Sequence, residues 1–192
     1  MQIFNVGDKA INLYLLVSET HRLLVDAGFP GTIHHLGREM RKTGFRLSDI
    51  DYLMVTHFHV DHAGAVQELK DQGLKFILFD AQRDAIAPME TMIGGKWPYT
   101  HLRHQDNLGK RVEESRSFLK SIGFEGEVVA TPGHTDDSLS LVLDSGECFT
   151  GDLYAESLLT EAETQQQESW NLLKSKGISQ VFPGHGNPYW IQ

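Results

Sequence analysis

Thr56-His57-Phe58-His59-Val60-Asp61-His62 follows directly on the apolar run Tyr52–Val55, and the reading of the whole chain turns on it. A run of strand length leads at once into three imidazoles and a carboxylate. In an extended segment, residues two apart face the same side, so His57 and His59 can share one ion. Asp61 and His62 fall where the next helix begins, a position the helix dipole favours for aspartate. They are turned away from the first pair and so are suited to a second ion. With ten histidines in 192 residues, chance gives this pattern in about two such chains per thousand.

Three further strand-like runs end in the same manner. Val128–Thr131 leads into Pro132-Gly133-His134, Cys148–Thr150 into Gly151-Asp152, and Val181-Phe182 into Pro183-Gly184-His185. The glycines permit sharp turns and close backbone approach. If the strands lie side by side, their ends converge on one rim, where open sheets place ligands. The collected set is His57, His59, Asp61, His62, His134, Asp152 and His185: five imidazoles and two carboxylates with no thiolate. It predicts two divalent metal ions, Zn²⁺ first, with iron or manganese as alternatives. His57, His59 and His134 would hold one ion and Asp61, His62 and His185 the other, with Asp152 bridging. Two ions about 3.5–4 Å apart lower the pKa of a shared water toward neutrality, and the hydroxide attacks an electrophilic carbon or phosphorus. Asp61 and Asp152 are therefore candidate catalytic residues as well as ligands. No serine or cysteine nucleophile has a signature.

Around these motifs, Ile3–Val6, Leu13–Val17, His21–Asp26, Leu74–Phe79, Glu127–Thr131, Ser138–Leu143, Cys148–Thr150 and Gln180–Phe182 read as strands. Helical spacing marks Ile33 to Met40, stopped by Gly44, and Ala63 to Leu69, stopped by Gly73. A helix is expected over Lys110–Ile122. Another opens at a Thr160/Glu163 capping box, carries Trp170 and Leu173, and ends at Gly177. Residues 85–109 lack periodicity and read as a long loop, a length that is usually functional. Within it Met92, Trp97 and Tyr99 are expected to form a lid and an apolar wall of the substrate pocket. Strand-rich stretches followed by a helix occur twice, which predicts an α/β protein with two β layers covered by helices, in one domain over residues 1–192.

Composition narrows the function. With 17 Lys and Arg against 26 Asp and Glu, net −9, the chain is a poor partner for nucleic acid, which needs clustered cations. No run approaches the roughly 18 apolar residues of a membrane span, and the amino end has no signal pattern. The single cysteine, Cys148, excludes an internal disulfide and fits a reducing compartment. A cytoplasmic enzyme acting on a small molecule is expected.

At Leu24-Val25-Asp26-Ala27-Gly28, the His57–His62 block, His134, Asp152 and Phe182-Pro183-Gly184-His185-Gly186, the chain resembles the metallo-β-lactamase fold superfamily of metal-dependent hydrolases. The resemblance runs nearly end to end and implies a four-layer αββα sandwich with a dinuclear site at one edge. It also implies that Asp26, which by itself could equally cap the Gly28 turn, hydrogen-bonds behind the ligands. Thr131-Pro132-Gly133-His134-Thr135 together with Asp152 is most similar to glyoxalase II-type thioesterases and related small hydrolases. β-Lactamases proper usually lack the bridging aspartate. Glyoxalase II enzymes carry a helical extension for glutathione where only seven residues follow His185, so a different thioester is expected. Lactonases of this fold use a tyrosine soon after the bridging aspartate. Tyr154 either fills that role, polarising a carbonyl, or packs with its hydroxyl satisfied. The expected reaction is cleavage of a small ester, thioester or lactone by a metal-bridging hydroxide. The alternatives are a mononuclear iron enzyme like the persulfide dioxygenases and, disfavoured by charge, a phosphodiesterase or nuclease.

Overall fold

A computed structural model describes residues 1–191; Gln192, the end of the expected 1–192 span, lies outside the described residues. Two sheets carry the chain. In the first, β1 (Gln2–Asn5), β2 (Tyr14–Val17), β3 (Arg22–Val25), β4 (Tyr52–Met54), β5 (Lys75–Phe79) and β6 (Leu108–Lys110) lie side by side in sequence order. β1, β2 and β3 pair antiparallel, whereas β3 through β6 are parallel. In the second, the order is β11 (Tyr189–Trp190), β10 (Gln180–Pro183), β9 (Glu147–Gly151), β8 (Leu139–Leu143), β7 (Gly126–Ala130). β9 and β10 are parallel, and β7 runs with them because β8 is antiparallel to both β7 and β9. The carboxyl ends of β7, β9 and β10 therefore share one rim.

Strand periodicity builds the layers. In β2 to β5, alternate residues Tyr14, Leu16, Leu23, Val25, Tyr52, Met54, Ile77 and Phe79 pack against Val128, Leu139, Leu141, Leu143 and Phe149 of the second sheet. Their neighbours in sequence, Leu15, Leu24, Leu53, Val55, Phe76 and Leu78, face the other way, onto helices. Those helices are α1 (Ile33–Lys42), α3 (Val66–Asp71) and α4 (Ile86–Ile93), which contribute Leu36, Met40, Val66, Leu69, Met89 and Ile93. The outer face of the second sheet buries Val142, Cys148 and Val181 under Trp170 and Leu173 of α6 (Thr164–Ser175). Trp170 is fully buried, a site where truncation to alanine costs about 3–5 kcal/mol. The result is the expected α/β architecture, an αββα sandwich.

The expected elements differ from the observed ones in five places, one being the helix expected over Ala63 to Leu69, which is broken at Gly64-Ala65 into α2 (Val60–Ala63) and α3. Residues 85–109 are not one loop: α4 occupies Ile86–Ile93, and Leu108–Lys110 joins β5 as β6. Pro88 is the third residue of α4, inside the first turn, where its missing N–H has no partner to lose. The helix expected over Lys110–Ile122 is α5 (Ser115–Ser121), preceded by a 3-10 turn at Val112–Glu114. The Thr160/Glu163 pair closes a turn ahead of α6 instead of opening the helix, with Glu163 reaching back to the Thr160 N–H at 2.7 Å. The short edge strand β11 has no counterpart among the expected elements.

Candidate metal centre

β4 ends at Met54, and the chain then passes through Thr56 and His57 into the four-residue helix α2 (Val60–Ala63). Backbone bonds tie this passage to both sheets. Asp26 N–H donates to Met54 O (2.9 Å), Ala27 N–H to His62 O (2.7 Å) and Leu139 N–H to Thr56 O (2.8 Å). Buried Gln82 donates to Val55 O (3.0 Å) and Thr56 O (3.3 Å). The loop after β7 is linked in turn: Asp137, also buried, accepts the Phe58 N–H at 2.8 Å. At the end of β10, Gly184 N–H donates to Gly151 O (2.7 Å), and Asn12 and Tyr14 donate to Pro183 O. All seven predicted ligands meet on this rim.

They form two groups. Ligand atoms of His57, His59, His134 and Asp152 lie within 4.8 Å of one another, as do those of Asp61, His62 and His185. His57 and His59 do share a side, their ring centroids 4.6 Å apart. His62 is less turned away than expected, its ring 4.1 Å from that of His57. Asp152 stands between the groups. Its Oδ1 is 3.0 Å from His62 Nε2 and 3.4 Å from His185 Nε2, and its Oδ2 is 3.5 Å from His134 Nε2 and 4.0 Å from His57 Nε2.

Supporting hydrogen bonds set which nitrogen of each ring faces inward. Asp26, buried between the sheets, accepts Thr56 N–H at 2.7 Å, Thr56 Oγ1–H at 3.0 Å and His62 Nδ1–H at 2.9 Å. Thr56 Oγ1 can then accept from His57 Nδ1 (3.1 Å). His185 Nδ1–H donates to Ala10 O at 2.6 Å. In each case Nε2 is left for the site, as in proteins that orient metal-binding imidazoles from behind. Asp26 adopts φ +67°, alone among the described non-glycine residues, and this backbone conformation turns its carboxylate under Thr56 and His62.

The electrostatics follow from burial. His57 is held well below its usual value by desolvation and by the neighbouring His62. Burial acts the same way on His62, but the Asp26 and Asp152 carboxylates override it and raise that imidazole to about 10. Burial would raise the Asp152 carboxyl, yet His62, His57 and His185 together hold it well below the carboxylate range. His134 is lowered, chiefly by desolvation.

A cation fits this arrangement. His57 Nε2, His62 Nε2 and Asp152 Oδ1 are buried without any aligned hydrogen-bond partner, despite their proximity. Orphaned buried polar atoms cost about 1–3 kcal/mol each, and all three point into the same space. Imidazole nitrogen and carboxylate oxygen suit zinc, iron or manganese.

Two clefts adjoin the centre. One of about 280 Å³ is lined by Asp152, Leu153, Tyr154, Leu158, Pro183, His185 and Tyr189. The other, about 480 Å³, is lined by Phe58, His59, Asp84, Pro88, Met89, Met92 and Asp136. Tyr154 sits in the first, its ring 6.1 Å from that of His134. Met92 sits in the second. Trp97 and Tyr99 line neither: Trp97 stacks on Phe29, and the Tyr99 hydroxyl donates to Glu90 at 2.9 Å. Thr56, Gln82 and Asp137 are supports that the sequence reading does not single out. Thr56 could have been suspected from its place beside the motif. Nothing in sequence separates buried Asp137 from exposed Asp136.

Fold and site together define a metallo-beta-lactamase-fold protein with a candidate metal centre. The chain belongs to the metallo-beta-lactamase superfamily, whose family model matches residues 6–185. It is 30% identical over 196 residues to the beta-lactamase-like protein 2 homolog of Drosophila melanogaster, across 93% of this chain and 59% of that protein. It is 28% identical over 186 residues to an atrochrysone carboxyl ACP thioesterase of Aspergillus fumigatus, across 93% of this chain and 51% of that one. The chain thus spans little more than half the length of these curated relatives. The crystal structure of a metallo-beta-lactamase family protein from Thermus thermophilus shares the fold, with TM-score 0.73 and 21% identity over 98% of this chain and 74% of that chain. No helix among the described residues is long and apolar enough to cross a membrane.

Proposed function

We propose that this chain, acting as one domain, hydrolyses a small ester, thioester or lactone with two divalent ions, zinc in the first instance. His57, His59 and His134 would hold one ion, Asp61, His62 and His185 the other, and Asp152 both. The observation that carries the reading is Asp152, which turns one carboxylate oxygen toward each group of imidazoles. The similarity to a thioesterase supports an acyl substrate.

When bound, such a pair of ions supplies an acidified water and Lewis-acid polarisation of a carbonyl. The chain's own residues do the rest. His62 and His185 are oriented by Asp26 and Ala10, so the donors need little rearrangement to act. Asp61 Oδ2, 3.2 Å from His185 Nε2, is a carboxylate oxygen that would be available to hold a proton of that water. Tyr154, on the wall of the smaller cleft, offers a hydroxyl to the carbonyl oxygen. Cys148, buried and unpaired, supports a reducing compartment such as the cytoplasm.

Elemental analysis of the purified protein, with a panel of acyl thioesters, esters, lactones and phosphodiesters, tests this. About two zinc equivalents with acyl cleavage are expected, and Asp61→Ala should lose one equivalent and the cleavage. A single iron with oxygen consumption, or wild-type rates in Asp61→Ala, would overturn it.

A further inference from the structure

Resting on that acyl-hydrolase reading, we propose that the smaller cleft is an acyl pocket selecting an apolar, medium-length acyl chain, with Tyr154, Leu158 and Tyr189 as its specificity-determining walls. Asp152 and His185 are among its lining residues, so the cleft adjoins the metal centre directly. Apart from these two and Asn187, its side walls are apolar or aromatic. Tyr154 and Leu158 are 52% and 73% exposed. A lone exposed apolar residue is ordinary. Two at the mouth of a concave cleft that opens on a catalytic centre are what a ligand-binding wall looks like.

The wall is also held in place without a ligand. Tyr154 N–H donates to Gln166 Oε1 (3.0 Å), and Tyr154 O accepts from Trp170 Nε1 (2.8 Å), both side chains buried on α6. Glu156 pairs with Lys174 of the same helix. The segment from β9 to Leu158 is thus anchored to the core of the second sheet, and a pre-formed wall loses little ordering entropy on binding.

The larger cleft is the poorer home for an alkyl chain. It carries Asp84 and Asp136 among its methionines, and burying methylenes there would strip water from ionised carboxylates. It is left for the departing group. At roughly 30 Å³ per heavy atom, the 280 Å³ of the smaller cleft takes a chain of about six to eight carbons.

The test is calorimetric binding of butanoate, hexanoate, octanoate and dodecanoate to the zinc-loaded protein, alongside hydrolysis of the matching acyl thioesters. Affinity should rise about fifteenfold for each two methylenes buried up to octanoate, then level off. Leu158→Asn, at an exposed position the fold does not rely on, should cost octanoate about fivefold and butanoate little. Met92→Asn, in the other cleft, should leave octanoate affinity unchanged. Length-independent binding, or a loss confined to Met92→Asn, would overturn the proposal. Length-dependent binding without any hydrolysis would sustain it while sinking the acyl-hydrolase reading. Hydrolysis with flat binding would do the reverse.

Discussion

The two ligand groups differ in how they are supported. In the Asp61–His62–His185 group, both imidazoles are tied at Nδ1, one to the Asp26 carboxylate and the other to the Ala10 carbonyl. In the other group only His57 has such a tie, through Thr56. His59 and His134 lean on each other instead, His59 Nδ1 standing 3.0 Å from His134 Nε2. One group is oriented by the fold, the other partly by its own members. The imidazoles of the first are aimed by partners outside the group, whereas His59 and His134 of the second have no such outside partner. The first equivalent of metal should therefore go to Asp61, His62 and His185.

Asp152→Ala should have the largest effect, because this residue alone faces both groups. It is expected to release both ions and lower activity by about a thousandfold, since the whole contribution of the ions goes with them. Retention of either ion, read by elemental analysis after dialysis, would mean that the groups are more independent than their geometry implies. Next comes Asp26→Ala. Removing such a supporting partner weakens metal binding about 10–100-fold, and the loss should fall on the His62 group. Competition with a chelator would show two unequal steps becoming more nearly equal or reversing order. Uniform weakening of both steps would break the comparison. His185→Ala should lower the stoichiometry from two ions to one and leave the His57 group loaded.

The smallest effect lies outside both groups and serves as a control. The Glu90 carboxylate accepts from the Leu102 N–H (3.0 Å) and the Tyr99 hydroxyl and lies 3.2 Å from His101 Nδ1. Burial pushes its carboxyl upward, but these donors prevail and hold it below the ordinary 4.5. A carboxyl lowered by folding contributes stability that is complete above its unfolded pKa and is lost as pH falls through the folded value. Glu90→Gln should thus cost about 1 kcal/mol at pH 7. The gap in melting temperature from the parent should close below pH 4, with metal content unchanged throughout.

Much of this organisation is written in local patterns. β2 to β5 alternate or run apolar because each faces two cores, and strands of that kind stand out. The ligands stand out because histidines after strand ends have few other reasons to cluster. α4 is hidden because Pro88 and the mixed Met89–Ile93 stretch look like a broken pattern, although a first-turn proline is compatible with a helix. β6 and β11 span three and two residues, too short for any period to emerge. The supports are hardest to read, since Ala10 acts through its backbone carbonyl, which every residue has, and Gln82 and Asp137 act across the fold.

Gly184 shows how narrow the margin at this rim is. A β-carbon there would stand 2.6 Å from His62 Cε1 and 2.7 Å from Asp152 Oδ1, although the residue is outside the positive-φ set and alanine could adopt its backbone. One added methyl group would wedge apart the histidine and aspartate on which the proposed pair of ions would depend, while the sandwich beneath kept its shape. Loss of the metal centre with retention of the scaffold is then a single small step away. Any member of this family carrying a bulkier residue at the equivalent position invites scrutiny as a protein that has given up chemistry for binding.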